Sequence, residues 1–270
     1  MQQGVKTQIW NDILNIMDAY LEESSHPETP VVHYKNGQEL KEILKLKLQD
    51  GAASDSEIIN EVKNYLKYSV RTTHPLYNNQ LNSGSNFESL IGEVVSFITN
   101  TTMATFEVAP VATLMESQLV DELNKKIGFD GGDGIMLTGG SNANLMAIHV
   151  ARNERFPEIK RSGNLNRVMK VFVSNDAHYS HKKAMLLLGM GIDNLVGVKT
   201  DEAGRMDPSD LEVKIKQTIA ADEIPLMVCS TAGTTVLGAF DPIKKNNEIC
   251  KEYQLWHHVD GAWGGSGTVL

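Results

Sequence analysis

The feature that most restricts the fold is an alternation that begins near residue 134. Short runs rich in strand-forming residues, at 134–137, 168–174, 195–199, 226–230 and 256–259, are separated by helical patterns at 144–156, 182–188, 208–220 and 241–253. Strand and helix in turn predict an α/β domain with a mostly parallel sheet and flanking helices. In such sheets ligands collect where strands end and helices begin. Residues that carry chemistry are therefore sought just after the strands.

The first 85 residues have a different texture and read as an N-terminal helical segment. Ile9, Ile13, Ile16 and Met17 recur at helical spacing, as do residues 38–48 and then Ile58, Val62 and Leu66. Ser54 and Glu57 have the spacing of a capping box ahead of the third helix. Stretches 24–30 and 71–86 are polar, carry Pro, Asn and Ser, and read as loops. The second unit, 86–270, opens with two long predicted helices, 86–103 and 111–127, before the alternation starts.

Composition narrows the function classes. Among 270 residues 41% are hydrophobic and 22% charged, in the globular range, and the net charge is −9. Without a Lys/Arg-rich block, neither nucleic acid nor an anionic membrane is an expected partner. No run of ~18 apolar residues offers a membrane span. Cys229 and Cys250 do not form a disulfide framework or a ligand pair, so a reducing, cytoplasmic setting is the expectation.

Four segments at the predicted strand ends carry candidate chemistry. Thr138-Gly139-Gly140-Ser141-Asn142 opens a helix; two glycines, a hydroxyl and free helix N–H groups make an anion cradle suited to phosphate. A tight turn with Ser141 or Asn142 as N-cap satisfies the same residues. It is neither GxGxxG nor a Walker loop. In 174–184, His178 could stack on a flat ring or donate a proton, or simply accompany a helix cap; His181, Lys182 and Lys183 read as solvated first-turn residues. In 229–235, Thr231 and its small hydroxylated neighbours suit close approach of a ligand or a capped Gly turn. In 257–265, Asp260 at a strand's carboxyl end is placed to pair with a buried cationic nitrogen. A metal reading of His257-His258-Val259-Asp260 is discounted, because adjacent strand residues point to opposite faces and no other His–carboxylate pair has ligand spacing.

Together, and in this order, the four segments look like the pyridoxal phosphate site of a fold-type I enzyme. The chain resembles the group II pyridoxal-phosphate-dependent amino acid decarboxylases, most closely the glutamate and cysteine-sulfinate decarboxylase branch. The resemblance rests on His74-Pro-Leu-Tyr-Asn-Asn-Gln80-Leu, Phe106-Glu-Val-Ala-Pro110, Gly132-Asp-Gly-Ile135, Gly139-Gly140, His178-Tyr-Ser180 with Lys182-Lys183-Ala184, Thr231-Ala-Gly-Thr-Thr235 with Gly238-Ala-Phe-Asp-Pro242, and 256–265. It runs from about residue 70 to residue 265. Gly261, Thr138, Asn142 and Asn78 depart from the residues that the branch usually has at those positions.

The resemblance implies a fold-type I large domain, the cofactor pyridoxal 5′-phosphate, a small acidic amino acid as substrate (glutamate, cysteine sulfinate or aspartate) and a homodimer. It implies that Gly139, Gly140 and Ser141 hold the cofactor phosphate, that His178 stacks on the pyridine ring and that Ala262 packs on its other face. Thr231 would lie near the phenolic oxygen, and Asp260 would pair with the ring nitrogen. Gln80, with Asn79 before it, matches a position that contacts the side-chain carboxylate of acidic substrates. The family's cofactor-linking lysine lies in an Asn-Pro-His-Lys type segment beyond the strand that carries the aspartate; that segment does not occur in these 270 residues. On that reading they are an incomplete large domain, about half of a family member. Two other readings stay open: a catalytically silent chain, and another fold-type I enzyme such as an aminotransferase.

Overall fold

The computed structural model describes residues 7–47, 50–79, 81–82, 84, 86–164 and 166–268. The chain divides into two compact units, Met1–Thr101 and Thr102–Leu270. That division lies downstream of the change of texture near residue 85.

The first unit is helical. α1 (Thr7–Ser24) and α2 (Gly37–Leu44) both pack on α3 (Asp55–Tyr68), and α4 (Phe87–Thr99) follows. The capping box expected at Ser54 and Glu57 is present, and Asn36 with Glu39 forms a second one at α2. Arg71, 5% exposed, ties the end of this region to α1. Its guanidinium donates to Ser24 Oγ at 2.7 Å and the Tyr20 carbonyl at 3.1 Å, pairs with Glu23 at 3.0 Å and lies over the Tyr20 ring. α4 ends at Thr99, short of the expected 103, because Asn100 adopts a left-handed φ of 46° and caps it.

The second unit contains α5 (Pro110–Ile127), α6 (Gly140–Arg155), α7 (Ile159–Ser162), α8 (Ser180–Leu187), α9 (Pro208–Ala220) and α10 (Ile243–Glu252). Its strands are β1 (Met169–Ser174), β2 (Leu195–Val198), β3 (Ile224–Thr231) and β4 (Trp256–Asp260). All the pairings are parallel and the order is β2-β1-β3-β4. The strand expected at 134–137 does not form a ladder in the described residues. Its backbone donors are taken by side chains instead: Gly134 N–H by the Asp133 carboxylate and Met136 N–H by Glu116 Oε1 at 3.0 Å.

Strand alternation assigns each residue to one of two layers. Met169, Val171, Val173, Met227 and Cys229 face one core with Ile148 and Ala151 of α6 and Ala184 and Met185 of α8. Phe172 and Val228 face the other, with Leu211 and Ile215 of α9 and Ile249 and Cys250 of α10. Both faces of the sheet are thus covered. This is why its strands are apolar runs rather than half-polar ones.

The order reverses direction between β1 and β3: the chain leaves β1 for β2 on one side and returns to β3 on the other. A crevice opens at such a reversal, outside the carboxyl ends of the strands. Register brings Ser174 level with Val198, and Thr231 level with Asp260, at that edge.

Candidate active site

Asp260 closes β4 and is 7% exposed. A carboxylate that deep must be hydrogen-bonded. Oδ1 accepts from the Ala262 backbone N–H at 3.1 Å, and Oδ2 accepts from Asn144 Nδ2 at 2.8 Å. Asn144 sits one turn into α6, and the same amide donates to Ser180 Oγ at 2.9 Å. Its Oδ1 accepts from His258 Nε2 at 2.8 Å. One buried asparagine therefore joins the start of α6, the start of α8 and the end of β4.

That amide fixes the His258 proton on Nε2. Burial pushes His258 down to about 4, against the opposing pull of Asp260, so the ring is neutral at pH 7. His257 points the other way, to Ser230 Oγ at 2.9 Å and Asn247 Oδ1 at 3.3 Å on the α10 side. The two histidines are split across the sheet, as strand geometry requires.

His181 corrects the expectation of a solvated first-turn residue. It is fully buried, with Nε2 3.5 Å from Cys229 Sγ and 3.8 Å from Asp260 Oδ2. Burial pushes it too down to about 4, with Asp260 acting in the opposite direction. Lys182 and Lys183 are exposed, as expected. His178, in the turn before α8, is half-buried; its Nδ1 accepts from the Ser180 N–H at 3.2 Å and its ring lies 4.3 Å from that of Tyr179.

Thr231 ends β3 beside Asp260. Its backbone N–H donates to Asp241 Oδ2 at 2.7 Å, and the other Asp241 oxygen accepts from Met206 N–H at 2.7 Å. Burial pushes the Asp241 carboxyl up, opposed by these two N–H groups. Asp241 thereby closes the 231–241 loop. Gly233 at its apex has φ +89°, and a Cβ there would fall 2.8 Å from Trp263 Cδ1 and 3.0 Å from Gly264 N, so the loop packs on the turn after β4. Thr231 Oγ1 is buried with no partner among the described residues.

α6 starts with Gly139 as N-cap, at φ +129° and without a side-chain cap. The alternative of a cap by Ser141 or Asn142 is not what the structure has: Ser141 is exposed and Asn142 Nδ2 donates back to Thr138 Oγ1 at 3.1 Å. The helix end is thus left open to an outside acceptor. A Cβ at Gly140 would fall 2.7 Å from Ala262 Cβ, so the glycine cradle lies against the turn after β4. Glycine at 140 is what lets the two approach.

Gly139, Gly140, Ser141, Asp260 and Ala262 therefore meet at one edge, and Thr231 and His178 lie at the ends of elements that reach it. Asn144, Ser180, His181, His258 and Asp241 complete the arrangement. Asn79 belongs to the first unit, where its Oδ1 accepts from Leu81 N–H at 2.9 Å; Gln80 lies outside the described residues. No cluster of three or more metal-ligating side chains occurs among the described residues, and none of their helices is long and apolar enough to cross a membrane.

These residues suit pyridoxal phosphate. There is an uncapped glycine cradle for a phosphate, an orphaned hydroxyl, and a buried carboxylate that no lysine or arginine neutralises among the contacts described. A doubly covered parallel sheet with such an edge is consistent with a fold-type I architecture, and the structural relatives below share it. The pyridoxal-dependent decarboxylase conserved domain matches residues 37–269, and the chain belongs to that family. It is 39% identical over 253 residues to human cysteine sulfinic acid decarboxylase, covering 93% of this chain and 51% of the relative. It is 37% identical to an acidic amino acid decarboxylase of Xenopus tropicalis, covering 94% of this chain and 50% of that one. The crystal structure of mouse CSAD superimposes with a TM-score of 0.94 at 38% identity, over 97% of this chain and 56% of that one. Oryza sativa TDC, solved with PLP and tryptamine, shares the fold at a TM-score of 0.86 and 22% identity. The chain spans about half the length of the curated relatives it matches.

Proposed function

We propose that the protein is a pyridoxal 5′-phosphate-dependent decarboxylase of a small acidic L-amino acid: glutamate, cysteine sulfinate or aspartate. The observation that carries this is Asp260, a buried carboxylate at the carboxyl end of β4 whose described partners are neutral donors. When bound, the cofactor supplies an electron sink for the pair left behind as the α-carboxylate departs as CO2. Asp260 holds a proton on the ring nitrogen, which deepens that sink. Gly139, Gly140 and Ser141, at the uncapped start of α6, bind the phosphate through backbone N–H groups and the helix dipole. His178 and Ala262 would hold the cofactor's ring, and Thr231 would bind its phenolic oxygen. The choice of an acidic substrate is supported by the relatives acting on cysteine sulfinic acid and acidic amino acids. It also draws on Gln80 with Asn79.

The test is CO2 release by the intact protein with pyridoxal 5′-phosphate. L-glutamate, L-aspartate, L-cysteine sulfinate and L-tryptophan are compared at equal concentration. At least one acidic substrate should turn over ten times faster or more than tryptophan. A preference for tryptophan would overturn the substrate reading, and no release from any of the four would overturn the activity.

A further inference from the structure

We infer that His181 is a positioning residue that acts through Asp260: its imidazole, wedged between Cys229 and the carboxylate, fixes the line along which Asp260 meets a cationic ring nitrogen. The inference rests on the reading of Asp260 given above.

Seen from the carboxylate, Ala262 N–H holds Oδ1 and Asn144 holds Oδ2. Two donors, one to each oxygen, resist rotation about the Cβ–Cγ bond from the β4 turn and from α6. His181 Nε2, 3.8 Å from Oδ2, is the polar group behind the carboxylate. The distance is beyond a hydrogen bond, so the ring acts as an oriented dipole and a steric stop. His181 faces Asp260 and His258 from β4, the Cys229 thiol from β3 and His178 from the turn before its own helix; α6 contributes the uncharged Asn144.

The ring proton belongs on Nε2. His181 Nδ1 is buried with no partner among the described residues. A proton there would be an unpaired buried donor, and it would turn a lone pair toward the carboxylate; both are unfavourable. With the proton on Nε2, the positive end of the imidazole dipole points at Oδ2 and the orphaned atom is only an acceptor. Burial keeps the ring neutral, so His181 steadies Asp260 without cancelling its charge. A permanently charged lysine at the same place would compete with the ring nitrogen for the carboxylate. Cys229 is no competitor either, since burial and the nearby Asp260 push its thiol well above the ordinary range.

The test uses the intact protein loaded with pyridoxal 5′-phosphate, and follows the pH profile of bound-cofactor absorbance for wild type, His181→Leu, His181→Gln and Asp260→Asn at equal occupancy. Without the imidazole the carboxylate drifts off its line and the ring nitrogen gives up its proton more readily. The absorbance transition in His181→Leu should then move to lower pH by at least about half a unit, with Gln, which keeps an N–H donor, recovering part of the shift. Lost packing alone would lower stability or occupancy but leave the midpoint where it is. If Asp260→Asn shifts the profile and His181→Leu does not, the positioning role is overturned while the Asp260 reading survives. If Asp260→Asn leaves the profile unchanged, the Asp260 reading itself has failed and takes the inference with it. Histidine ring nitrogen resonances in the cofactor-free protein give an independent check should His181→Leu fold poorly. The His181 signals should report a proton on Nε2 in wild type and move in Asp260→Asn; a proton on Nδ1 would overturn the inference.

Discussion

Asn144 is the residue on which the site's geometry turns, because one amide satisfies Asp260, Ser180 and His258 together. Replacing it with Ala leaves those buried groups without their partner, and an unmet buried polar group costs about 1–3 kcal/mol. We expect Asn144→Ala to lower the unfolding free energy by at least about 2 kcal/mol, read from urea denaturation, with weaker cofactor binding in parallel. An unchanged midpoint would show that water replaces the amide. The two neutral histidines give a second prediction. Folded His181 and His258 are both held near 4, below the ordinary 6.5, so the unfolded chain takes up protons first as pH falls. Their contribution is fully present above pH 6.5 and is lost on going from there toward pH 4. Each adds a slope of up to roughly 1.4 kcal/mol per pH unit in that window. His258→Gln keeps a donor for Asn144 and should flatten the slope between pH 6.5 and 4.5. A slope identical to wild type would mean that His258 titrates normally in the folded protein.

Two junctions between elements were legible to different degrees. The start of α6 was readable from Gly139 and Gly140, but the reason for the second glycine was not, since Ala262 lies more than a hundred residues away in sequence. Gly140→Ala should press on Ala262, forcing α6 from the turn after β4 at a cost of about 1–3 kcal/mol. The cofactor's affinity should fall with it, and the double variant Gly140→Ala/Ala262→Gly should restore both. Equilibrium titration with pyridoxal 5′-phosphate decides this; an affinity equal to wild type in Gly140→Ala would show that the two elements yield freely. The parallel sheet was legible because strands and helices alternate at full length. The strand expected at 134–137 was not separable from an extended connection. Whether such a run joins a ladder depends on a neighbour, and here Glu116 supplies the hydrogen bond instead. The burial of His181 is hidden in the sequence because two solvated lysines, Lys182 and Lys183, follow it. Yet Ser180, His181, Ala184 and Met185 form the buried face of α8, and Ala184 with Met185 already marked that side as apolar. Asn144 carried no local signal, since its partners in Asp260 and His258 lie beyond any spacing rule.

At the scale of the molecule, one helix in each unit carries exposed apolar side chains among the described residues. Phe87, Phe97 and Ile98 of α4 are exposed, and so are Val111, Leu114 and Met115 of α5. Surface of this kind marks an interaction face. A homodimer is our proposal for its cover, and sedimentation of the intact protein at micromolar concentration should give twice the protomer mass; a stable, active monomer would contradict it. At the sheet's carboxyl edge, Asp260 is proposed to keep a proton on a cofactor ring. This role is tested most directly by kcat for decarboxylation in the intact protein carrying Asp260→Asn, with cofactor occupancy confirmed by absorbance. Asparagine keeps the shape and removes the charge. We expect a fall of at least about a hundredfold, or ~2.7 kcal/mol of barrier, at full occupancy. A near wild-type rate at full occupancy would contradict the proposed role, and would make Asp260 a strand-end residue with a structural role only.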